Sequence, residues 1–506
     1  MPGRLVLIAA AFAACLAASP AAEARPRPPA SGPVVLVGEI DVGGKHEGVV
    51  ELRLDGELVA SVPAANGAFE LEMPRHGGAG MVILEFHAPD LRLRSLLGGQ
   101  GRLALRAGAD GRLAVAEEDR LRLSPLSTAV AVLASGLDLV PPAGDDALAD
   151  ALQATWGSDI RLATTAIERL AVEPGRLPPG IPDGMALAED PAAFNHAVQE
   201  DPALVSDPHL VFDALEAKPL SAGDVAGALV FTGPRAAPGV PTDGPGMVME
   251  RVAEGFRLHD HMFDGPSWSG GLDAQGALVI EPLQLVREFA GYYDCPSLGW
   301  TVAGVVDTTR RDFRRLWQGV GMAVWHFGSD HELSFPECPE LETVEWRSMR
   351  VWTAPDMARA RALTQPRRFV GRQSLPVFCG YPLPHWGLAL EPCGQADHVF
   401  NADGSGVAHP DDGPPLGFSW GRGPHGGIRV DYGDASARFW ILEDGDRRLL
   451  PVAYVAEAVV VGYPGTSSGQ ATLVRGGQPE GAHGALRRPR AGAGSGGGPR
   501  YQSPGD

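Results

Sequence analysis

Four histidines have the residue type and spacing best suited to metal chemistry in this chain. His259 and His261 are two residues apart, so on a strand both imidazoles point to one face and make half of a zinc or copper site. The remaining ligands would come from a second segment that contains His326, Asp330, His331 and Glu332. The competing interpretation is that such pairs occur by chance and hold no metal.

A second candidate is a loop rich in oxygen ligands. Its residues fall at positions 1, 3, 5, 6 and 12 of a calcium-binding loop and are Asn401, Asp403, Ser405, Gly406 and Asp412. The loop departs from that pattern, because it contains a proline, ends on aspartate and lies between strands. A tight hairpin turn at Asp403-Gly404 explains the same residues without a cation.

Signatures of common enzyme classes are missing from the sequence. Gly404–Gly406 and Gly465–Gly469 lie in turn-like stretches, so neither fits a nucleophile elbow between a strand and a helix. Phosphate-binding and dinucleotide-binding glycine patterns do not occur. Carboxylate pairs such as Asp145-Asp146 need a cleft that shifts their pKa values before they can work as acid and base. The sequence therefore favours a non-enzymatic protein.

Nine of the ten tryptophans lie in the C-terminal half. They are Trp268, Trp300, Trp317, Trp325, Trp346, Trp352, Trp386, Trp420 and Trp440. Aromatic side chains dominate core burial, which favours a core role for most of them. The alternative is that a subset lines a cavity for a small apolar or sugar ligand, as in barrels that hold one ligand.

The N-terminus has the pattern of a secretory signal peptide. Arg4 supplies the positive charge, Leu5–Ala18 form the apolar stretch, and cleavage is expected between Ala24 and Arg25. Residues 1–24 would then be removed, and residues 25–32 would form a linker rich in proline and arginine. The alternative is a lipid anchor on Cys15. Either way we expect an exported protein, in the periplasm, outside the cell or on its surface.

Removal of the signal would leave four cysteines, an even number that points to disulfides in an exported chain. We predict the pairs Cys379–Cys393, which are close in sequence, and Cys295–Cys338. A zinc site is the alternative, although no Cys-x-x-Cys pair is present and the spacings do not suit a tetrahedral site.

Composition excludes two classes of protein. The formal net charge of −20 argues against nucleic acid as a partner, because phosphate binding requires clustered cations. After the signal, no run reaches the ~18 apolar residues that a membrane-spanning helix needs. We therefore expect neither a nucleic-acid surface nor a transmembrane span.

Residues 33–123 predict an antiparallel β-sandwich, because short alternating runs are separated by Asp-Gly and Asn-Gly turns. The motifs Val37–Ile40, Gly48–Leu52 and Ala65–Leu71 combine a glycine-containing first strand with an Asn-Gly-x-Phe hairpin. This pattern resembles the carboxypeptidase-regulatory-like (transthyretin-like) β module of exported bacterial proteins. The resemblance implies a non-catalytic spacer or interaction domain.

At Ser124-Pro125 the apolar period changes from two to helical, with serine as N-cap and proline at the first helical position. We predict a helical region over 124–232, a linker over 233–246, an aromatic-rich antiparallel β domain over 247–475, and a disordered tail over 476–506. The β domain is expected to be a barrel or a sandwich, with one helix at Thr309–Trp317. The chain as a whole should be multidomain and mainly β.

A second resemblance lies in the C-terminal domain. Phe400–Gly406, Phe418–Trp420, Ile428–Tyr432 and Arg438–Leu442 form a turn, an aromatic strand pair and a closing strand. This arrangement resembles a lipocalin-like β-meander, and the same strands also suit an open sheet or a sandwich.

These observations predict an exported modular protein that acts as a binding or surface-structural component through its C-terminal β domain. We expect no cofactor, with zinc or calcium as the alternatives already named. The partner would be a small apolar or sugar ligand or a surface protein. The alternative function is an exported hydrolase or metal-dependent enzyme, with its site around His259, His261, His326 and His331.

Overall fold

The computed structural model describes residues 32–473, apart from 44–46, 76–79, 109, 221–226, 233–244, 254, 261–267, 281–286, 384–386, 411–413, 433–434, 446–447, 454–455, 459 and 463–470. The expected signal peptide, the tail over 476–506 and almost all of the two predicted linkers lie outside the described residues.

The described chain is mainly β. Its strands are β1 Val34–Ile40, β2 Gly48–Leu54, β3 Glu57–Ala64, β4 Ala68–Met73, β5 Met81–Ala88, β6 Leu91–Gly99, β7 Arg112–Ala114, β8 Arg122–Leu123, β9 Ala228–Thr232, β10 Pro245–Val252, β11 Gly255–Asp260, β12 Trp268–Leu272, β13 Leu278–Ile280, β14 Arg287–Cys295, β15 Trp300–Gln318, β16 Met322–Ser334, β17 Val344–Pro355, β18 Gly371–Leu383, β19 Gly387–Phe400, β20 Ser405–Pro410, β21 Leu416–Arg422, β22 Ile428–Asp431, β23 Ala435–Gly445, β24 Arg448–Ala453, β25 Ala456–Ala458, β26 Val460–Gly462 and β27 Ala471–Leu473. Its helices are α1 Gln100–Arg106, α2 Pro125–Ser135, α3 Gly144–Gln153, α4 Gly157–Val172, α5 Gly184–Glu189, α6 Pro191–Glu200, α7 Pro208–Ala214, α8 Met357–Leu363 and α9 Pro366–Phe369.

Strands β1 to β8 form the predicted sandwich of two sheets. One sheet has the order β3-β2-β5-β6, and the other joins β4, β1, β7 and β8. The turns at Asp55-Gly56 and Asn66-Gly67 have positive φ at both central residues, 51° and 87° in the first and 55° and 78° in the second. This is the geometry that two-residue hairpins require, so these turns are confirmed.

The sandwich differs from a purely antiparallel one at one edge. β1 pairs antiparallel with β4, but it pairs parallel with both β7 and β8. Parallel pairing requires a crossover rather than a hairpin, and between β1 and β7 the chain passes through β2 to β6 and then α1. The short β7 follows α1 and β8 follows the 3₁₀ turn Asp119–Leu121, so their direction could not be inferred from alternation alone.

Helix α2 begins where the sequence predicted. The Ser127 backbone N–H donates to Ser124 Oγ at 3.1 Å, and the Ser124 N–H donates to Ser127 Oγ at 2.9 Å, which completes a reciprocal cap. Every residue of α2 except Leu133 is buried. The helix packs on β6 of the sandwich and on α4, so it is an internal element of the fold and not a flexible boundary.

The helices α3 to α7 lie within the predicted helical region. The residues Asp145-Asp146 lie in the first turn of α3, which begins at Gly144, and α4 begins at Gly157 with Trp156 as its N-cap. Ser158 therefore sits inside the first turn and does not cap α4. The stretch Ala228–Thr232, at the end of the range expected to be helical, is strand β9.

The first half of the C-terminal domain is a closed barrel. Nine strands are linked in the order β13-β12-β11-β10-β9-β17-β16-β15-β14, and an additional pairing joins β13 to β15. The ladder thus returns on itself through eight strands, all except β14. β14 pairs with Trp300–Asp307, the part of β15 that precedes its pairing with β13. Together with the adjoining parts of β15, β16 and β17, β14 forms a four-stranded extension at one end of the barrel.

The predicted helix at Thr309–Trp317 is wrong, because these residues belong to strand β15. Arg310, Asp312 and Arg314 alternate with Arg311, Phe313 and Arg315. Phe313 packs inside the barrel, whereas the charged residues of the other set line its outer wall. Strands are recognised by side chains that alternate between apolar and polar with a period of two. In this segment both faces carry charged residues, so the alternation is not visible in the sequence.

Aromatic side chains fill the barrel interior. Phe231 lies 5.6 Å from Phe313 and 5.3 Å from Trp325 between ring centroids, and Phe313 lies 4.8 Å from Phe327. Trp352 and Met249 complete this core with other buried apolar residues. Eight-stranded barrels are just wide enough for side chains to fill them. Trp325 and Trp352 are therefore core residues of the barrel, as the main interpretation predicted for most of the tryptophans.

The second half of the C-terminal domain is a separate sheet, β18-β19-β20-β21-β22-β23-β24, with β25 on β23. It contains all four segments of the lipocalin-like pattern as consecutive antiparallel strands, outside the closed barrel. Its core holds Phe400, Phe418 and Phe439. Buried Arg438 on β23 donates to the Glu250 carboxylate on β10, so an ion pair joins this sheet to the outer wall of the barrel.

The predicted Cys295–Cys338 disulfide is confirmed. The two Cα atoms are 6.0 Å apart, and both side chains are buried with Val302 in a small cluster at the end of the four-stranded extension. The backbones of Cys379 and Cys393 lie in paired strands β18 and β19, but their side chains lie outside the described residues. That second disulfide stays a prediction.

We expect Ser124→Ala to lower the free energy of unfolding by about 1 kcal/mol, because it removes the acceptor that satisfies the Ser127 N–H. Urea denaturation measures the change. Ser158→Ala is the matched control, since Ser158 is in the first turn of α4 without capping it. An equal loss in both variants would contradict the cap.

We expect the double variant Cys295→Ala/Cys338→Ala to lose about 4 kcal/mol of stability, because the disulfide closes a loop of 43 residues in the unfolded chain. Urea denaturation of the non-reduced protein measures the loss. Cys379→Ala/Cys393→Ala is the control that keeps the first disulfide. A Cys295/Cys338 variant as stable as the parent would refute the structural role of this bond.

Candidate functional site

The structure separates the four candidate histidines. The His259 backbone is in β11 but its side chain lies outside the described residues, and so does all of His261. His326 and His331 are both on β16, five residues apart, so their side chains point to opposite faces of the sheet. These two histidines therefore do not share a metal site. A pairing of either with His259 or His261 stays a prediction.

His331 is held in a polar and aromatic setting. Its Nδ1 lies 3.1 Å from Thr308 Oγ1, and its Nε2 lies 2.8 Å from Ser348 Oγ. The imidazole stacks on Trp346 with 5.2 Å between ring centroids and 21° between planes. Three neighbouring strands, β15, β16 and β17, thus fix the orientation of both rings.

His326 is fully buried on the outer face of the barrel wall. Arg314 Nη2 lies 3.2 Å from its Nδ1, and because arginine only donates, Nδ1 accepts and the proton sits on Nε2. Nε2 faces Asp213 Oδ1 of helix α7 at 3.5 Å. Burial, followed by the charge of Arg314, lowers the pKa of His326 to about 3. The imidazole is therefore neutral at physiological pH.

Next to His326, the outer wall of the barrel has a charged cleft of about 530 Å³ between β15 to β17, α7 and the β12–β13 turn. Its charged lining residues are Asp213, Lys218, Asp273, Arg310, Asp312, Arg314, Asp330 and Arg347. Four carboxylates therefore face four cations. The charges of the described lining residues therefore cancel, although the whole chain is acidic.

The charges in this cleft are paired with each other. Arg347 donates to Asp312 and to Asp330, at 2.7 Å in both cases, and Arg314 donates to Asp213 at 2.8 Å. The pKa of Arg347 is raised, because its hydrogen bonds to Asp312 and Asp330 outweigh the effect of burial. These pairs tie α7 of the helical region to three barrel strands.

The chemistry open to this cleft follows from those contacts. A general base works best with a pKa near the operating pH, and His326 has neither that pKa nor exposure to a substrate. Arg314 occupies Nδ1 and places a positive charge where a cation would bind. The ion pairs of the described cleft therefore serve to hold α7 against the barrel wall.

The oxygen-rich loop forms a hairpin turn. Ser405 donates to Asp403 Oδ1 through its backbone N–H at 2.9 Å and its hydroxyl at 2.7 Å, and Asn401 Nδ2 donates to Ser405 Oγ at 3.0 Å. The two hydrogen bonds from Ser405, the hydroxyl first, lower the pKa of the Asp403 carboxyl. Asp412 lies outside the described residues, so the turn explains the described positions and the calcium site stays a prediction.

The most exposed aromatic side chains lie on the four-stranded extension. Tyr292 on β14, Trp300 on β15 and Trp346 on β17 are 73%, 62% and 41% exposed, and among the described residues they are the exposed phenylalanine, tyrosine and tryptophan side chains. In register, Trp346 pairs with His331 and His331 with Thr308, whereas Tyr292 pairs with Ala303. Trp346 and Tyr292 therefore face opposite sides of the extension.

Sequence reasoning missed most of the cleft. Asp213 was hidden in a short helix more than 100 positions before its partner Arg314. The alternation Arg310-x-Asp312-x-Arg314 is a strand signal that could have placed these charges on one face. In a helix, residues two positions apart do not share a face, so the predicted helix gave no reason to place these three charges together.

Comparisons with known proteins add no relative. A scan of family models and searches of curated proteins and of solved structures each returned no significant match. Within the described residues, none of the helices combines the length and the apolar character needed to cross a membrane.

We expect wild-type stability to fall as pH drops from about 6.5 toward 3, because unfolded His326 takes up a proton that the folded site rejects. One such group contributes about 1.4 kcal/mol per pH unit across that window. Urea denaturation at several pH values measures it, and His326→Asn should give a shallower profile.

His409→Asn, at an exposed position of β20, is the control for this pH dependence and should leave the profile unchanged. Parallel wild-type and His326→Asn profiles would show that His326 is protonated equally in the folded and unfolded protein.

Proposed function

We propose that this chain is an exported, modular, non-enzymatic binding protein, and that the four-stranded extension of its barrel binds carbohydrate. The observation that carries the proposal is the Trp346 ring, exposed to solvent while stacked on an immobilised His331. An exposed indole on a strand offers a flat apolar surface with a polar edge, which suits recognition of an amphipathic ligand.

The setting of Trp346 supports a sugar as the ligand. A pyranose ring has an apolar C–H face that packs on an indole and hydroxyls that bond to polar neighbours. Trp346 offers the flat surface, and the Thr308 and Ser348 hydroxyls with the His331 imidazole lie on the same face of the sheet. A purely apolar ligand would form no hydrogen bonds with these polar groups.

Rigidity of the platform also supports binding. His331 is held from both sides by Thr308 and Ser348, so the indole that stacks on it has a fixed partner. The Cys295–Cys338 disulfide joins β14 to the segment after β16 at the end of the same extension. A preorganised surface loses little conformational entropy when a ligand binds.

Export is supported by the sequence of residues 1–24 and by the disulfide, since disulfides persist in oxidising compartments. The sandwich at residues 34–123, with its resemblance to a non-catalytic module of exported proteins, would serve as a spacer or interaction domain. The helical region joins it to the barrel by direct packing. The proposed binding face is then presented at a fixed orientation to the sandwich.

We expect the wild-type protein to be retarded in native affinity gels that contain a soluble polysaccharide, with xylan, β-glucan, amylopectin and galactomannan as the probes. Trp346→Ala should lose at least tenfold in affinity, because it removes the stacking surface. Tyr292→Ala is the matched control, since Tyr292 is an exposed aromatic residue of the same extension that faces the other side.

A wild-type protein that migrates unchanged in all four gels would contradict carbohydrate binding. So would equal losses in the Trp346 and Tyr292 variants, because a non-specific aromatic effect would explain both.

A further inference from the structure

The charges on strands β15, β16 and β17 are sorted between the two faces of the sheet. The register of β15 with β16, and of β16 with β17, places every carboxylate of these strands on the face opposite Trp346. These carboxylates are Asp307, Asp312, Asp330, Glu332 and Glu345. Although the chain has a formal net charge of −20, the Trp346 face of the three strands therefore carries no negative side chain.

Arg350 is the exposed arginine of these three strands on the Trp346 face. It follows Trp346 by four residues on β17, with Ser348 between them, so the three side chains point to the same face. In register Arg350 lies opposite Phe327, so no carboxylate faces it across β16 and β17. Its guanidinium is therefore accessible to an anion from solvent.

Trp346, Ser348 and Arg350 form a linear strip along β17. At about 3.3 Å per residue, Trp346 and Arg350 are about 13 Å apart along the strand. On its other edge β17 pairs with β9 through Thr353 and Thr232, and alongside the strip no described strand pairs with that edge. A linear ligand can therefore lie along β17, with one part on the indole and another at the guanidinium.

The guanidinium favours a carboxylate over the hydroxyls that neutral sugars offer. Arginine presents planar donors that match both oxygens of a carboxylate, and such charge-assisted hydrogen bonds are about twice as strong as neutral ones. In a polyuronate every sugar unit carries one carboxylate. Whichever unit stacks on Trp346, a unit further along the polymer therefore presents its carboxylate to Arg350.

We infer that the ligand of the Trp346 face is an acidic polysaccharide of the polyuronate class. One sugar ring stacks on Trp346, and the carboxylate of a unit further along accepts hydrogen bonds from Arg350. This inference rests on the proposed carbohydrate binding and adds the charge of the ligand. The acidic chain as a whole repels a polyanion, but at physiological salt charges more than about 8 Å away are largely screened, so the local charge of this face decides.

The test is calorimetric titration of the full folded chain with tetragalacturonate and with its methyl ester, which has the same sugar rings without the charges. The wild type should bind tetragalacturonate at least threefold more tightly than the ester. We expect a modest factor because exposed ion pairs contribute little. Arg350→Gln should bind both ligands equally, and Arg350→Lys should keep part of the preference. Trp346→Ala should weaken both at least tenfold.

Arg367→Gln is the matched control, because Arg367 is an exposed arginine of α9, a helix that packs on the second sheet through Phe369. It should leave both affinities unchanged. Circular dichroism establishes which variants fold, and the comparison of acid with ester in the wild type decides the matter if Arg350→Gln does not fold.

Equal affinity of the wild type for acid and ester, absence of tetragalacturonate binding, or an undiminished preference in folded Arg350→Gln would each overturn the acidic ligand. Retardation of the wild type by the neutral polysaccharides would then still support carbohydrate binding, so the two proposals fail separately. Unchanged tetragalacturonate binding by folded Trp346→Ala would contradict both, because the sugar would bind elsewhere.

Discussion

Burial of helix α2 is the constraint on which the arrangement of this protein depends. Leu126 and Val130 pack in one apolar cluster with Ile83 of the sandwich, Phe212 of α7 and Val324 of the barrel wall. Burial of apolar surface provides the main driving force for such packing, so three regions of different secondary structure share one core. Separating them would expose apolar surface from all three at once. The sandwich, the helical region and the barrel, which the sequence presents as separate modules, are therefore held together by one shared apolar core.

Ion pairs at the contacts between these regions then determine how the regions are oriented. The Arg314–Asp213 pair joins the barrel to α7, and the buried Glu250–Arg438 pair joins the barrel to the second sheet. Buried pairs contribute little net stability but penalise any arrangement that leaves one partner alone. Their effect is to specify orientation. The charged cleft is in this sense part of the assembly of the fold, whereas the proposed carbohydrate-binding surface lies on the four-stranded extension of the barrel.

Local patterns predicted what depends on neighbours in sequence. The hairpin turns at Asp55-Gly56 and Asn66-Gly67, the cap at Ser124 and the Cys295–Cys338 pair all appear in the structure. The prediction of a helix at Thr309–Trp317 was wrong because both faces of this strand carry charged residues. One face lines the cleft and the other lines the barrel, so the sequence shows no apolar alternation. Strand parity also sends His326 and His331 to opposite faces of the sheet, so these two do not lie together, and a metal site of either one with His259 or His261 stays a prediction.

The sequence by itself determined the mainly β class, the strand periods and turns of the sandwich, the start of α2 and one disulfide, because each rests on backbone preferences or on residue counts that need few distant partners. Only the tertiary structure decided that β13 pairs with β15 to close a barrel, that α2 is buried, and that Asp213 meets Arg314. Such contacts join residues far apart in the chain. A strand's pattern states which face is buried but not which strand lies beside it.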